Sequence, residues 1–331
     1  MFQPLPNFGR RRALLGAAAA FVSFGLLLWW LLPLDEDSPG GRVTFSTGVK
    51  SGVYERYGEL LEQALARDLP KLSVTLRSSE GSQENLQRVA TGEADFTVAA
   101  ADAVKAYQQA GKPGAARLRG CARLYDDYVQ LVVPRSSDVH SVKDLRNKRV
   151  AIGQTGSGVR LIANRVLEAA GLDADKDVEP RGIGINTMPK ALESGEIDAF
   201  FWSGGLPTTA VKELSERFEI RFVELGDLVD ELHRLGGVSH YYRASVMPAD
   251  AYPEAQHGTA VSTLAVANLL VTTDRTDAQL TEGLTRTVID SRDRIGREVH
   301  AAQLVDLRTA LYTDPLELHE GARRYYRSVK P

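Results

Sequence analysis

Apolar residues recur along this chain with two alternating periods. From Arg42, RVTFSTG alternates as a strand and runs into a Gly-rich turn, after which Tyr57, Leu60, Leu61, Ala64 and Leu65 follow at helical spacing. LSVTLRS predicts a second strand, GSQENLQRVATG a short helix closed by Gly92, and ADFTVAA a third strand. The order is βαβαβ. From Arg149 the same order returns: RVAIGQTGSG, a stripe at Ile162, Val166 and Ala169 closed by Gly171, VEPRGIG, TMPKALESG closed by Gly195, and IDAFFWSGG.

One phrase marks the repetition. TGEADFTVAA from Thr91 and SGEIDAFFWSGG over 194–205 share a small residue, Gly, Glu, a variable position, Asp and an apolar run. Ser51-Gly52-Val53 likewise matches Ser157-Gly158-Val159 in nearly the same register. Each letter has a physical reason: Gly stops a helix in the left-handed region, the acids mark a turn, and the apolar run is a buried parallel strand. The pattern predicts two α/β lobes with strands covered on both faces. YVQLVVP and TLAVANLLVTT flank the second repeat as crossing strands should, which places lobe one at 43–133 plus 267–331 and lobe two at 134–266. Leu280, Leu284, Val288 and Ile295 then form an amphipathic helix able to return to lobe one.

Ahead of this body stand Arg10, Arg11 and Arg12, a run from Ala13 to Leu34 without a charge, and then Asp35, Glu36 and Asp37. A bilayer span needs about 20 apolar residues, whereas the core of a cleavable signal has about 7–15. The run favours an anchor over 13–33, with Trp29 and Trp30 at the interface. The paired arginines before Leu14 and Leu15 also resemble a twin-arginine export signal, so a cleaved leader and secretion stay open. Either way the positive-inside rule puts residues 1–12 in the cytoplasm, 34–42 as a polar linker, and the body outside.

The remaining chemistry narrows the function by exclusion. A formal net charge of -3 leaves no basic surplus for nucleic acid. Cys121 is the only cysteine, and the six histidines show no ligand spacing, so neither a disulfide nor a metal site is expected. GQTGSGVR lacks the Lys-Ser/Thr of a phosphate-binding loop, and no nucleophile or dinucleotide motif stands in a strand-to-helix context. Asp126 and Asp127 read as turn or cap carboxylates. Arg323, Arg324 and Arg327 read as a solvated face, with Tyr325 and Tyr326 packed on the sheet. No enzyme and no cofactor are expected.

Three turns stand out instead: TGVKSG (47–52), SSEGS (78–82) and QTGSG (154–158) follow strands, precede helices, and are rich in Gly and hydroxyls. Such turns present unpaired helix-terminal amides where open α/β sheets collect ligands, and they suit a carboxylate.

STGVKSGVYERYGELL, SSEGSQENLQRVATGEADF, SVKDLRNKRVAIGQTGSGVRLIANRVLEAAGL, DAFFWSGGLPTTAV, VMPADAYP and ELHEGARRYY together resemble successive blocks of the TAXI family, the solute-binding proteins of TRAP-type transporters. The likeness runs from about Val43 to about Tyr326. It implies a type II periplasmic binding protein fold, hinged and closing on a small carboxylate such as glutamate, glutamine or a dicarboxylate, with a membrane permease as partner. It also implies ligand loops at Thr47, Gly48, Ser51, Gly52 and Tyr54, at Gly81, Ser82 and Asn85, and at Thr155, Gly156, Ser157, Gly158 and Arg160. Trp202, Gly204, Gly205 and Pro207 match the family's pocket strand. This chain departs from the family at Val49 and Lys50, where further glycines are usual, and at Ala100 and Ala101, where a polar residue is usual; Lys50 could pair with an anion. A ligand sensor of the same fold, feeding a signalling partner, is the alternative reading.

Overall fold

The computed structural model describes residues 39–50 and 52–329, with position 23 alone before them. The expected anchor or signal over 13–33 lies outside the described residues except for Ser23, and so does Ser51. Among the described residues no helix is long and apolar enough to cross a membrane.

The first half opens with β1 (Gly41–Ser46), which is parallel to β2 (Leu72–Arg77) on one side and to β3 (Phe96–Ala100) on the other. Val43 sits opposite Val74, and Phe45 opposite Phe96. The crossovers are α1 (Val53–Asp68) and α2 (Ser82–Thr91); α3 (Ala101–Gln109) follows β3 without a break. Gly92 ends α2 at φ 85°, and its amide returns to the carbonyls of Arg88 and Val89.

A 17-residue strand, β4 (Leu118–Pro134), leads into the second half. There β5 (Arg149–Ala151) lies parallel between β6 (Glu179–Arg181) and β7 (Ala199–Gly204). The helices of this half are α4 (Gly158–Ala169), α5 (Met188–Glu193), α6 (Thr209–Arg217) and α7 (Val229–Leu235). Then come β8 (Ile220–Val223), β9 (Arg243–Met247), β10 (Val261–Thr273), α8 (Ala278–Asp290) and α9 (Glu320–Val329).

The strands run β2-β1-β3-β10-β4-β7-β5-β6, with β8 on β4 and β9 on β10. Two long antiparallel strands therefore join two parallel α/β lobes. In β4 the change of partner is visible residue by residue: Arg123 faces Leu269 of β10, while Gln130 faces Trp202 of β7. Tyr128 belongs to both ladders, opposite Ala265 and Gly204. A register shift in β10 between Ala267 and Leu269 marks the same level.

Three apolar clusters hold this frame. Ile162, Val166, Met188, Phe200 and Phe201 pack in the second lobe; Phe45, Leu61, Leu65, Leu284, Val288 and Tyr325 pack together in the first; Leu86, Val89, Val104 and Tyr107 form the third. Each fully buried Leu, Val or Phe contributes roughly 1.5–3 kcal/mol relative to exposure. Cys121 is buried, and the Tyr326 hydroxyl donates to its backbone carbonyl at 3.1 Å.

Candidate functional site

The carboxyl ends of β1, β2 and β5 point to one place. After each of them the chain makes a short turn and enters a helix, so that the turns before α1, α2 and α4 meet across the gap between the lobes. A cavity of about 70 Å³ lies there. At roughly 10–15 Å³ per water site, that is room for a handful of waters or one small solute.

Backbone conformation and close approach explain the glycines. Gly81 has φ 127°, a conformation that side chains disfavour, and packs in ordinary contact with Gly158 of the opposite lobe. Gly153 has φ 84°, and a Cβ there would meet Ser157 Oγ at 2.8 Å, too close for any side chain. Ser157 caps α4: its hydroxyl accepts from the Arg160 amide at 3.2 Å and donates to the Gln154 carbonyl at 2.7 Å. The lobes also touch directly, Gln83 Nε2 donating to the Ser157 carbonyl at 2.8 Å and the Glu84 amide to the Gly156 carbonyl at 3.2 Å. The structure is a closed one.

At the end of the cavity against the crossing strands sits a polar cluster. Tyr54 donates to Asn268 Oδ1 and lies 3.2 Å from Ser82 Oγ and 3.5 Å from Asp127 Oδ2. Asp127 is 4% exposed, lines the cavity, and its Oδ1 has no hydrogen-bond partner. Ser203, one step away on β7, also lines the cavity with an unpartnered hydroxyl. Burial pushes the Asp127 carboxyl up to about 7; the neighbouring Asp102 adds to the shift, and Asn268 and Tyr54 offset part of it. Burial, followed by the Asp127 charge, keeps the Tyr54 hydroxyl well above its ordinary range, so it stays a donor. Glu80 is the other acid on the wall. Among the described residues lining the cavity none is Lys, Arg or His. Val53, Val159, Ile162, Ile185, Met188 and Trp202 make the rest of the wall apolar.

Of the residues singled out from the sequence, Gly48, Gly52 and Tyr54, then Gly81 and Ser82, then Ser157 and Gly158, then Trp202 and Gly204 line the cavity. Others take supporting places. Thr47 is buried with its hydroxyl on Glu55, and Asn85 donates to the carbonyls of Thr47 and Val98 at 2.7 and 3.0 Å. Gly156 gives its carbonyl to the contact with Glu84 and, like Thr155, is not on the wall. Gly205 and Pro207 border a second hollow beside Glu298 and Ala301.

Two expectations need correction. The Arg160 guanidinium sits behind its turn, 3.5 Å from the Gly153 carbonyl, and exposed Lys50 is off the wall, so neither lends the cavity a side-chain charge. Asp126 and Asp127 are not turn or cap residues; both lie within β4. Asp126 is neutralised by Arg123 at 2.6 Å and by Arg243, while its neighbour faces the cavity. Glu80 and Gln154 reach the wall from two of the turns singled out above, while Ile185, Met188 and Ser203 also belong to it and were not among the candidate ligand residues.

Two α/β lobes joined by crossing strands, with a cavity at the ends of their parallel strands, make up a two-lobed fold of the periplasmic-binding-protein type. The chain belongs to the NMT1-like family, whose profile matches residues 45–329. Similar solved structures include a putative L-cystine ABC transporter protein from Listeria monocytogenes, 14% identical with a TM-score of 0.52 over 80% of this chain and 98% of that one. Tv2483, solved bound to L-arginine, is 13% identical with a TM-score of 0.51 over 81% and 93%. An ancestral arginine-binding protein bound to arginine is 12% identical with a TM-score of 0.51 over 78% and 98%. At such identities the likeness is one of fold.

Proposed function

We propose that this chain is the extracytoplasmic solute-binding receptor of a TRAP-type transporter, closing on a small carboxylate and handing it to a membrane permease without chemical turnover. One observation carries the binding role: the Gly-rich turns of both lobes meet around a cavity that the first turn of α4 enters through Ser157 and Gly158. The first amides of a helix have no intrahelical acceptor and the helix dipole favours an anion there, so a carboxylate fits that end. A solute bridging both lobes shifts the population toward closure by its preference for the closed form. The TRAP partner rests on the ordered blocks that resemble the TAXI family. The uncharged run 13–33 supports tethering to the membrane, with the arginines before it inside.

The experiment is calorimetry and thermal unfolding of the full chain with small carboxylates. A solute at about 100 times its Kd should stabilise by ~2.7 kcal/mol, raising Tm by about 5 °C. Ser157→Ala should lower stability by about 1 kcal/mol through the lost cap and weaken binding as well, because the cap fixes the first turn of α4 whose amides face the carboxylate. If no carboxylate shifts the unfolding, the reading fails. Uptake by proteoliposomes carrying a TRAP permease should require added chain. N-terminal sequencing of the native protein tests the tether, since a mature start between 34 and 42 means a cleaved leader.

A further inference from the structure

Deepening the receptor reading, on which it rests, we propose that the cleft selects a solute carrying an ammonium group and an apolar body, and that it rejects dicarboxylates. The observation is the unpartnered carboxylate. Asp127 is 4% exposed, lies on the wall of the cavity and leaves Oδ1 without a partner, whereas its neighbour Asp126 is fully paired to arginines. Buried polar atoms in folded proteins are almost always hydrogen-bonded, and a buried acid on a cavity wall with no cationic neighbour favours a cationic solute.

The charge partner comes from the solute. The neutral Asn268 amide beside Asp127 offsets only part of its burial, Tyr54 spends its hydrogen on Asn268 Oδ1, and no cation of the protein lines the wall among the described residues. Ser203 of the adjacent strand lies on the same wall. An ammonium has three donors and no acceptor, which matches a carboxylate with no cationic neighbour. The amides that open α4, next to Ser82, are left for one carboxylate. The rest of the wall offers Ile162, Ile185, Met188 and Trp202, so a second carboxylate would be buried against apolar carbon and near Glu80, with no charge partner. A neutral zwitterion with a small apolar side chain satisfies every part of this wall.

The test uses matched pairs. The full chain is titrated by calorimetry with L-alanine, L-valine, L-leucine and L-methionine, with the carboxylic acids that lack only their amino group, and with glutarate and L-glutamate. At least one amino acid is expected to bind tenfold or more tighter than its des-amino counterpart and than either dicarboxylate. Asp127→Asn should erase that preference while unfolding as cooperatively as wild type. Equal binding within every pair, or tighter binding of glutarate, overturns the ammonium assignment and leaves the carboxylate receptor standing; tighter binding of L-glutamate, which also carries the ammonium, overturns the rejection of dicarboxylates. No binding by any compound removes the receptor reading as well. The wild-type comparison decides the matter even if the variant fails to fold.

Discussion

Trp202→Ala is expected to be among the most damaging single substitutions in the cleft. The indole is 8% exposed, forms part of the cavity wall, and donates from Nε1 to Thr208 Oγ1 at 2.9 Å. Thr208 in turn donates to the Gly205 carbonyl at 2.9 Å, and its amide bonds the Tyr252 hydroxyl at 2.8 Å. One ring thus supports the wall and the turn that leaves β7. Truncating a buried aromatic to Ala costs about 3–5 kcal/mol, the transfer term plus the hole left behind. Urea unfolding should show a lower midpoint at unchanged m-value, and the widened cavity should lose at least tenfold in solute affinity. Trp202→Phe separates the two contributions: it keeps the apolar wall and gives up the hydrogen bond, for about 1 kcal/mol. If the Ala variant unfolds at the wild-type midpoint, the ring does not carry this load.

The βα repeat was legible because its two periods are local. Strand alternation and helical stripes are written in consecutive residues, and the left-handed glycines at 92, 171 and 195 stand where the stripes end, with φ of 85°, 77° and 68°. The same locality made the turns at 81–82 and 157–158 readable as parts of one cleft. Asp127 shows where locality stops. In a strand, adjacent side chains point to opposite faces, so Asp126 and Asp127 had to have different fates, but nothing nearby says which one meets a cavity. That was fixed by pairing β4 with β10, which brings Asn268, 141 positions further along the chain by number, beside the carboxylate. Arg160 shows the opposite failure. Its place in the first turn of α4 put it near the cleft in sequence, yet its side chain returns to the Gly153 carbonyl behind the turn. Ile185, Met188 and Ser203 reach the wall only through the tertiary arrangement of β6, α5 and β7.

Between pH 5 and pH 8 the solute-free protein is expected to lose stability through Asp127, and Asp127→Asn to escape that loss. Burial raises the Asp127 carboxyl from 3.8 to about 7 and that of Asp102, which accepts from the Tyr242 hydroxyl at 2.8 Å, from 3.8 to about 6. A carboxyl with a raised pKa in the folded state holds its proton after the unfolded chain has released it. Its contribution to stability is full below about pH 4 and disappears as pH climbs through 6 to 7, when the charge must form inside the protein. The groups facing Asp127 do not reverse the sign: Asp102 adds to the repulsion, Tyr54 stays protonated, and the Asn268 amide offsets only part of the burial. Exposed paired acids such as Asp306, held down at about 2 by Arg308, act at much lower pH and are common to both proteins. The gap in unfolding free energy between Asp127→Asn and wild type should therefore widen in favour of the variant by on the order of 2–3 kcal/mol from pH 5 to pH 8, at 1.36 kcal/mol per pKa unit. Urea titrations of both proteins at four pH values measure it. A gap that stays constant would mean that Asp127 ionises as an exposed acid does, with its charge already satisfied. Saturation with a solute carrying an ammonium should close the gap for wild type alone, because the bound cation gives the Asp127 charge a partner.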